Sequence, residues 1–230
     1  MNIFQEGFLA RILASGSVGD DLFFLCIKPI AIILCCVLIP YLLGSVSSAI
    51  IVSKVLFRDD IRRYGSGNAG ATNMARVFGW GAGLITLGGD ALKAVICMVV
   101  GNLILGDVGL SLAGAGCILG HCFPVMHDFK GGKGVSVGGA LSFGIDWRVG
   151  LAVVGSFLLV ALLSKKVSLG SLCGAIAITA ASLLVGVSAP KIALAIFSMI
   201  LVILRHRPNI QRLIAGTEPD FKAGKGKIGK

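Results

Sequence analysis

Apolar residues dominate seven stretches of the chain, at roughly 29–53, 81–104, 108–126, 135–145, 148–164, 168–187 and 190–204. Short polar segments rich in Gly, Lys and Arg separate them. Apolar runs of this length with no polar face predict helices surrounded by hydrocarbon rather than strands or amphipathic surface helices. A helix needs about 20 residues to cross a ~30 Å hydrocarbon core. The first, second and sixth stretches meet that length comfortably. The stretch 135–145 is short, a half-helix by itself or one helix with the next across Asp146-Trp147-Arg148. Before the first span, Phe4, Phe8, Leu9, Ile12 and Leu13 share one helical face, so residues 1–28 read as an N-terminal extension, either an interfacial helix or an unstructured tail.

Charge orients these spans. With seven spans and the N-terminus outside, the inner segments 54–76, 127–134, 165–167 and 205–230 carry 16 Lys or Arg. The outer segments carry only Arg11, Lys28, Arg148 and Lys191. Basic residues collect on the cytoplasmic side of membrane proteins. Fusing 135–164 into one helix would send Lys165 and Lys166 outside, so the short stretch is counted separately. The expected fold is an all-α integral membrane protein. It has about seven transmembrane helices, some short, with the N-terminus outside and the C-terminus cytoplasmic. Residues 29–204 form one transmembrane domain, and 205–230 a basic cytoplasmic segment.

Composition agrees with a membrane setting. The chain of 230 residues is 56% hydrophobic and only 14% charged, where soluble domains carry about 25% charged residues. The net charge of +10 would suggest nucleic acid in a soluble protein. Here it points to anionic headgroups or anionic substrates, with no nucleic-acid partner. The seven Cys lie mostly within apolar runs and contain no CxxC pair. They read as small buried hydrophobes, not as a disulfide framework or a metal site.

The topology places three unusual segments on the same side: "GSGNAGATNMAR" (65–76), "GHCFPVMHDFKGGKG" (120–134) and "RHRPNIQRLIAG" (205–216). The first exposes backbone N–H groups at Gly65, Gly67 and Gly70, a ready anion cradle when a helix starts beside it. Ser66 and Asn68 can donate to phosphate oxygens, and Arg76 can grip a phosphate with two N–H groups. Thr72 and Asn73 suit the helix start and are counted with the anion-binding loop. In the second segment Lys130 and Lys133 flank Gly131 and Gly132, placing two ammonium groups where backbone can approach closely. His121 lies near the inner end of the third span. In the third segment His206 and Asn209 are spaced i, i+3 on one helical face. Asp90 and Lys93, also i, i+3 but inside an apolar run, read as an internal ion pair. Glu218 reads as a partner for the basic C-terminal region. No acidic cluster suggests a two-metal centre. These residues leave open an enzyme or a transporter of a phosphorylated ligand.

The three segments, with the upstream "GSVSSAIIVSK" and the buried "DALK", resemble the signatures of the bacterial acyl-phosphate-dependent glycerol-3-phosphate acyltransferase family (PlsY). The resemblance covers about residues 30–218. It implies an enzyme of the bacterial inner membrane, with its active site facing the cytoplasm. The reaction it implies moves a fatty acyl group from acyl phosphate to the sn-1 hydroxyl of glycerol 3-phosphate. The products are lysophosphatidate and phosphate, in phospholipid biosynthesis. Membrane lipid surrounds the enzyme, and a soluble acyl-phosphate synthase is a possible supplier. No cofactor and no metal are implied. The resemblance assigns catalytic roles to Ser66, Arg76, His121, Lys133, His206 and Asn209. It assigns phosphate binding to Gly65, Gly67, Asn68 and Gly70, and a structural role to Glu218. Three routes for the hydroxyl proton stay open: His121 as general base, a donor phosphate oxygen, or a covalent acyl-Ser66. The chain departs from the family pattern in lacking Pro after "GSV", in its longer N-terminus and in the tail "KAGKGKIGK".

Overall fold

The structure, a computed structural model, describes residues 30–32 and 34–224. The expected helix within 1–28, Cys26 and the tail end 225–230 lie outside the described residues. Among the described residues every regular element is helical.

A π-helical turn, Leu34–Leu38, leads into α1 (Ile39–Ser45). The chain then opens at Val46 (ψ 111°) before α2 (Ser48–Phe57) begins. Ser47 starts α2 by accepting from Ile50 N at 3.4 Å, an N-cap bond. The first apolar stretch is therefore a broken helix. A polar loop with one 3-10 turn, Ile61–Arg63, connects it to α3 (Ala71–Phe78).

Next comes α4 (Trp80–Cys122), in which Leu105 (φ −139°) and Gly106 (φ +57°) leave helical geometry. Glycine takes the positive φ without the strain a Cβ would bring. The two limbs fold back on each other. Gly101 and Gly109 face one another so closely that a Cβ on either would overlap the other's carbonyl oxygen. Further along, Lys93 on one limb reaches His121 on the other. Small residues let the backbones touch in this way. The expected stretches 81–104 and 108–126 correspond to these two limbs.

After a 3-10 turn, Val125–His127, come α5 (Val135–Ile145) and α6 (Trp147–Ser164). Asp146 separates them, being extended (φ −165°, ψ 141°) and accepting from Arg148 N at 2.8 Å. The short stretch 135–145 is thus a helix of its own. α7 (Val167–Val185) ends at Gly186 (φ +72°). α8 (Ala189–Arg205) and α9 (Arg207–Ile214) meet at His206 with a bend of 61°.

Among the described residues four helices are long and apolar enough to cross a membrane: Ile30–Phe57, Trp80–His127, Trp147–Ser164 and Val167–Val185. A fifth joins them if α8 and α9 are taken as one bent span. The shared core lies between α4, α5, α6, α7 and α8, with Cys117, Ile118, Val137, Leu141, Val149 and Ala195 fully enclosed. The outside is apolar instead of charged; Leu163 and Leu184 are 78% and 88% exposed. An exposed apolar surface of this extent suits lipid rather than water. Cys36, Cys97, Cys117 and Cys122 are buried, and the described cysteines are free.

Candidate active site

The loop before α3 owes its shape to one side chain. Asn73 is buried, and its carboxamide oxygen accepts from Ser66 N at 3.0 Å. Its amide nitrogen donates to the carbonyls of Tyr64 and Asn68, each at 3.0 Å. Gly65 (φ +59°) packs so tightly on Asn73 that a Cβ there would overlap Oδ1. Asn73, expected at the phosphate, is thus committed to the loop's backbone. Among the described residues the N–H groups of Asn68, Ala69, Ala71 and Thr72 have no acceptor. The last two belong to the first turn of α3, where unpaired N–H groups and the helix dipole favour an anion. Ser66, Thr72 and Arg76 line the cavity that these groups border.

That cavity, about 1800 Å³, gathers the three distant segments. Ser66, Asn68 and Arg76 come from the first, Lys130, Gly131 and Lys133 from the second, and His206 and Asn209 from the third. Lys133 Nζ donates to Asn209 Oδ1 at 2.6 Å. Asn209 Nδ2 donates in turn to Glu218 Oε1 at 2.7 Å, and Arg212 Nε to Glu218 Oε2 at 2.7 Å. Burial pushes the Lys133 ammonium down to about 8, with the Arg212 charge acting in the same direction. Burial raises the Glu218 carboxyl, but its hydrogen bonds from Asn209 and Arg212 outweigh that and hold it below its ordinary value. His206 Nδ1 lies 2.8 Å from Val202 O. A carbonyl can only accept, so Nδ1 carries a proton and the neutral ring keeps its lone pair at Nε2. Lys130 is exposed at the rim.

His121 is placed differently from the other polar residues. It is buried, with Nδ1 3.2 Å from Lys93 Nζ and 3.5 Å from Asp90 Oδ1. Lys93 also donates to the carbonyls of Gly44 (3.0 Å) and Val46 (2.8 Å), which the break between α1 and α2 frees. Asp90 Oδ1 is 3.0 Å from Lys93 Nζ, an ion pair whose angle is not that of a hydrogen bond. Ser136 Oγ donates to Asp90 Oδ2 at 2.8 Å. On its other side the His121 ring meets Gly132, where a Cβ would overlap Nε2. Gly132, also expected at the phosphate, packs against this histidine and does not line the cavity.

Sequence reasoning passed over Ser136, Arg205 and Arg212. Arg205 and Arg212 sit inside a motif already noticed, and Ser136 follows the Gly-Lys-Gly of another, so proximity was the available signal. The cavity is also lined by the apolar residues Phe143, Val154, Phe157, Leu158 and Ile178. The arrangement can bind a phosphate and a hydrocarbon chain.

Comparison with known proteins adds to this geometry. The family model described as glycerol-3-phosphate acyltransferase matches residues 34–216. The glycerol-3-phosphate acyltransferase of Syntrophotalea carbinolica is 41% identical over 189 residues, 80% of this chain and 94% of that protein. The one from Nostoc sp. is 40% identical over 201 residues, 80% of this chain and 89% of that protein. Two crystal structures of PlsY, an integral membrane glycerol 3-phosphate acyltransferase, superpose on this fold. The glycerol 3-phosphate form gives a TM-score of 0.79 at 33% identity, covering 84% of this chain and 96% of that one. The lysophosphatidic acid form gives 0.77 at 31% identity with the same coverage.

Proposed function

The chain belongs to the glycerol-3-phosphate acyltransferase family, and from that premise we propose that its acyl donor is an acyl phosphate handled by the three converging segments. It is an integral membrane enzyme that acylates glycerol 3-phosphate to lysophosphatidate. One observation carries the donor assignment. Arg76, Lys130 and Lys133 line the same cavity as the loop whose N–H groups are unpaired at the start of α3, and apolar side chains from α5, α6 and α7 line it too. Two phosphate anions need such a surplus of positive charge to lie side by side.

Acyl phosphate is a mixed anhydride, so the tasks left to the protein are orientation and charge stabilisation. The loop N–H groups, Ser66 and Arg76 hold one phosphate. Lys133, aimed by Asn209, faces the other and stabilises it as it departs. The sn-1 oxygen attacks the acyl carbon, and the bond from that carbon to the bridging oxygen breaks, the oxygen leaving with the phosphate. The hydroxyl proton passes to an oxygen of the leaving phosphate, which departs as hydrogen phosphate. His121 lines the cavity too, but Lys93 and Asp90 engage its Nδ1 and Gly132 packs against its Nε2, which favours the phosphate oxygen as the proton acceptor. No base stands beside Ser66 Oγ among the described residues, which disfavours an acyl-serine.

The two limbs of α4 support counting seven membrane-crossing segments, α5 being the short one. The lysines and arginines of the site then face the cytoplasm. Gly65, Gly67, Asn68, Gly70 and Thr72 serve the phosphate, Asn73 and Gly132 shape the loops, and Asp90, Lys93 and Glu218 are structural.

The test is acyl transfer by the purified protein in lipid, with palmitoyl phosphate or palmitoyl-CoA as donor and labelled glycerol 3-phosphate as acceptor. Lysophosphatidate from palmitoyl phosphate alone, lost in Arg76→Ala, is the expected result. Equal or better transfer from palmitoyl-CoA overturns the donor assignment.

A further inference from the structure

The roles above leave Arg205, a cation lining the site, without a task. Arg205 is the last residue of α8. Its Nε donates to Gly132 O at 3.2 Å and its Nη2 to Gly131 O at 3.1 Å. The guanidinium carbon lies 5.0 Å from the centroid of the Phe123 ring, at the end of α4. From the opposite side Gly132 N donates to His121 O at 3.0 Å, and the Gly132 Cα rests on the His121 ring. The two glycines are therefore held between two helix ends, and the next residue is Lys133.

Consecutive glycines are the most pliable backbone a chain can have. Left free, they would let the Lys133 amine swing out of register with Asn209. A guanidinium presents donors in a rigid planar fork that satisfies two neighbouring carbonyls at once, while its face rests on an aromatic ring. A lysine ammonium is a point charge on a flexible stem and can do neither as well. The carbonyls so engaged point toward Arg205, which makes Arg205 a backbone ligand rather than a phosphate ligand. We infer that Arg205 is a positioning residue that clamps Gly131-Gly132 and thereby aims Lys133 at the reacting phosphate. The inference rests on the role proposed above for Lys133.

A clamp acts on the barrier more than on substrate binding. Arg205→Gln is expected to lower kcat about 100-fold, the order of effect of a ~1 Å misplacement, with the KM for glycerol 3-phosphate within about twofold of wild type. Arg205→Lys should recover part of kcat, because one bond can reform but the fork cannot. A pH profile separates aim from charge. The charged and titratable groups around the Lys133 amine are Arg76 from α3, Arg205 and His206 at the end of α8, Arg212 from α9, and Glu218. Removing the Arg205 charge moves the alkaline limb of kcat/KM to higher pH in Arg205→Gln. Arg205→Lys leaves the limb in place while kcat, though partly recovered, stays below wild type.

Hydrogen exchange on the full chain in lipid tests the clamp without relying on turnover. Amides of the 129–134 loop should exchange at least about tenfold faster in Arg205→Gln, with α4 and α8 unchanged. Faster loop exchange together with a loss in kcat supports the inference. Unchanged loop exchange overturns it, as does faster exchange with wild-type kcat. A wild-type protein that makes no lysophosphatidate overturns the functional reading instead, and the exchange data still decide whether the clamp exists.

Discussion

Lys133 and Asn209 are 76 positions apart in sequence, yet the lysine amine donates to the asparagine oxygen at 2.6 Å. This bond joins the glycine loop after α4 to the first turn of α9. Through Glu218 it extends to Arg212, so one carboxylate balances part of a strongly positive wall.

The lowered Lys133 value should set the alkaline limit of activity. With burial pushing the amine down to about 8, its charge is lost as pH rises past that value, and only a charged amine can stabilise a departing phosphate. Accordingly kcat/KM, which reports the free enzyme, should fall as pH rises through about 8. Among the neighbours Arg76, Arg205, Arg212 and Glu218, the arginines push this limb down and Glu218 pushes it up. In Asn209→Asp the new carboxylate beside the amine should move the limb to higher pH. A limb that stays put in a pH series of that variant would argue that another group titrates.

Asn73→Ala removes three hydrogen bonds from the loop before α3. At about 0.5–1.5 kcal/mol for each bond lost, local order should be lost before the helices unfold. The expected outcome is a rise of at least about tenfold in the KM for glycerol 3-phosphate. Steady-state kinetics with varied acceptor will show it, and thermal unfolding in detergent will show a smaller effect on the whole fold.

Gly132→Ala places a methyl group against His121 Nε2. The ring is fixed by Asp90 and Lys93, so the loop must move instead. Activity should drop about 100-fold while the protein stays folded and in the membrane. Gly155→Ala, where nothing lies within 4 Å of the added carbon, serves as the control and should keep wild-type turnover.

Asp90→Asn leaves the Lys93 ammonium buried against two carbonyls without its counter-charge. Breaking a buried pair from one side costs about 3–5 kcal/mol. Asp90→Asn combined with Lys93→Met should be less destabilising than the two single costs added together. A double-mutant cycle on thermal unfolding checks this, and strict additivity would refute a coupled pair.

Much of the site was readable from residue order because its chemistry is local. Glycine, serine and arginine within twelve positions mark an anion loop wherever they fall, and two lysines around two glycines do the same. Residue types leave open which way a side chain points. Asn73 faces its own loop, and Gly132 packs against His121. His121 lines the cavity with Asp90 and Lys93 beside its Nδ1. Each of these depends on which neighbour lies across a helix contact, and residue types alone do not specify that.

From residue order alone came the lipid setting, the positions of the apolar stretches, the turn region between 104 and 108, and the three polar segments with their expected common side. Those features follow from hydrophobic length, glycine and charge, which act within a few residues or along the membrane normal. The tertiary structure decided that Gly101 meets Gly109, that Lys93 reaches both His121 and the broken first helix, and that Arg205 holds the backbone before Lys133. Such contacts arise from how helices far apart in the chain pack side by side. Their energy depends on the shape of both surfaces at once, and either segment read alone carries only half of it.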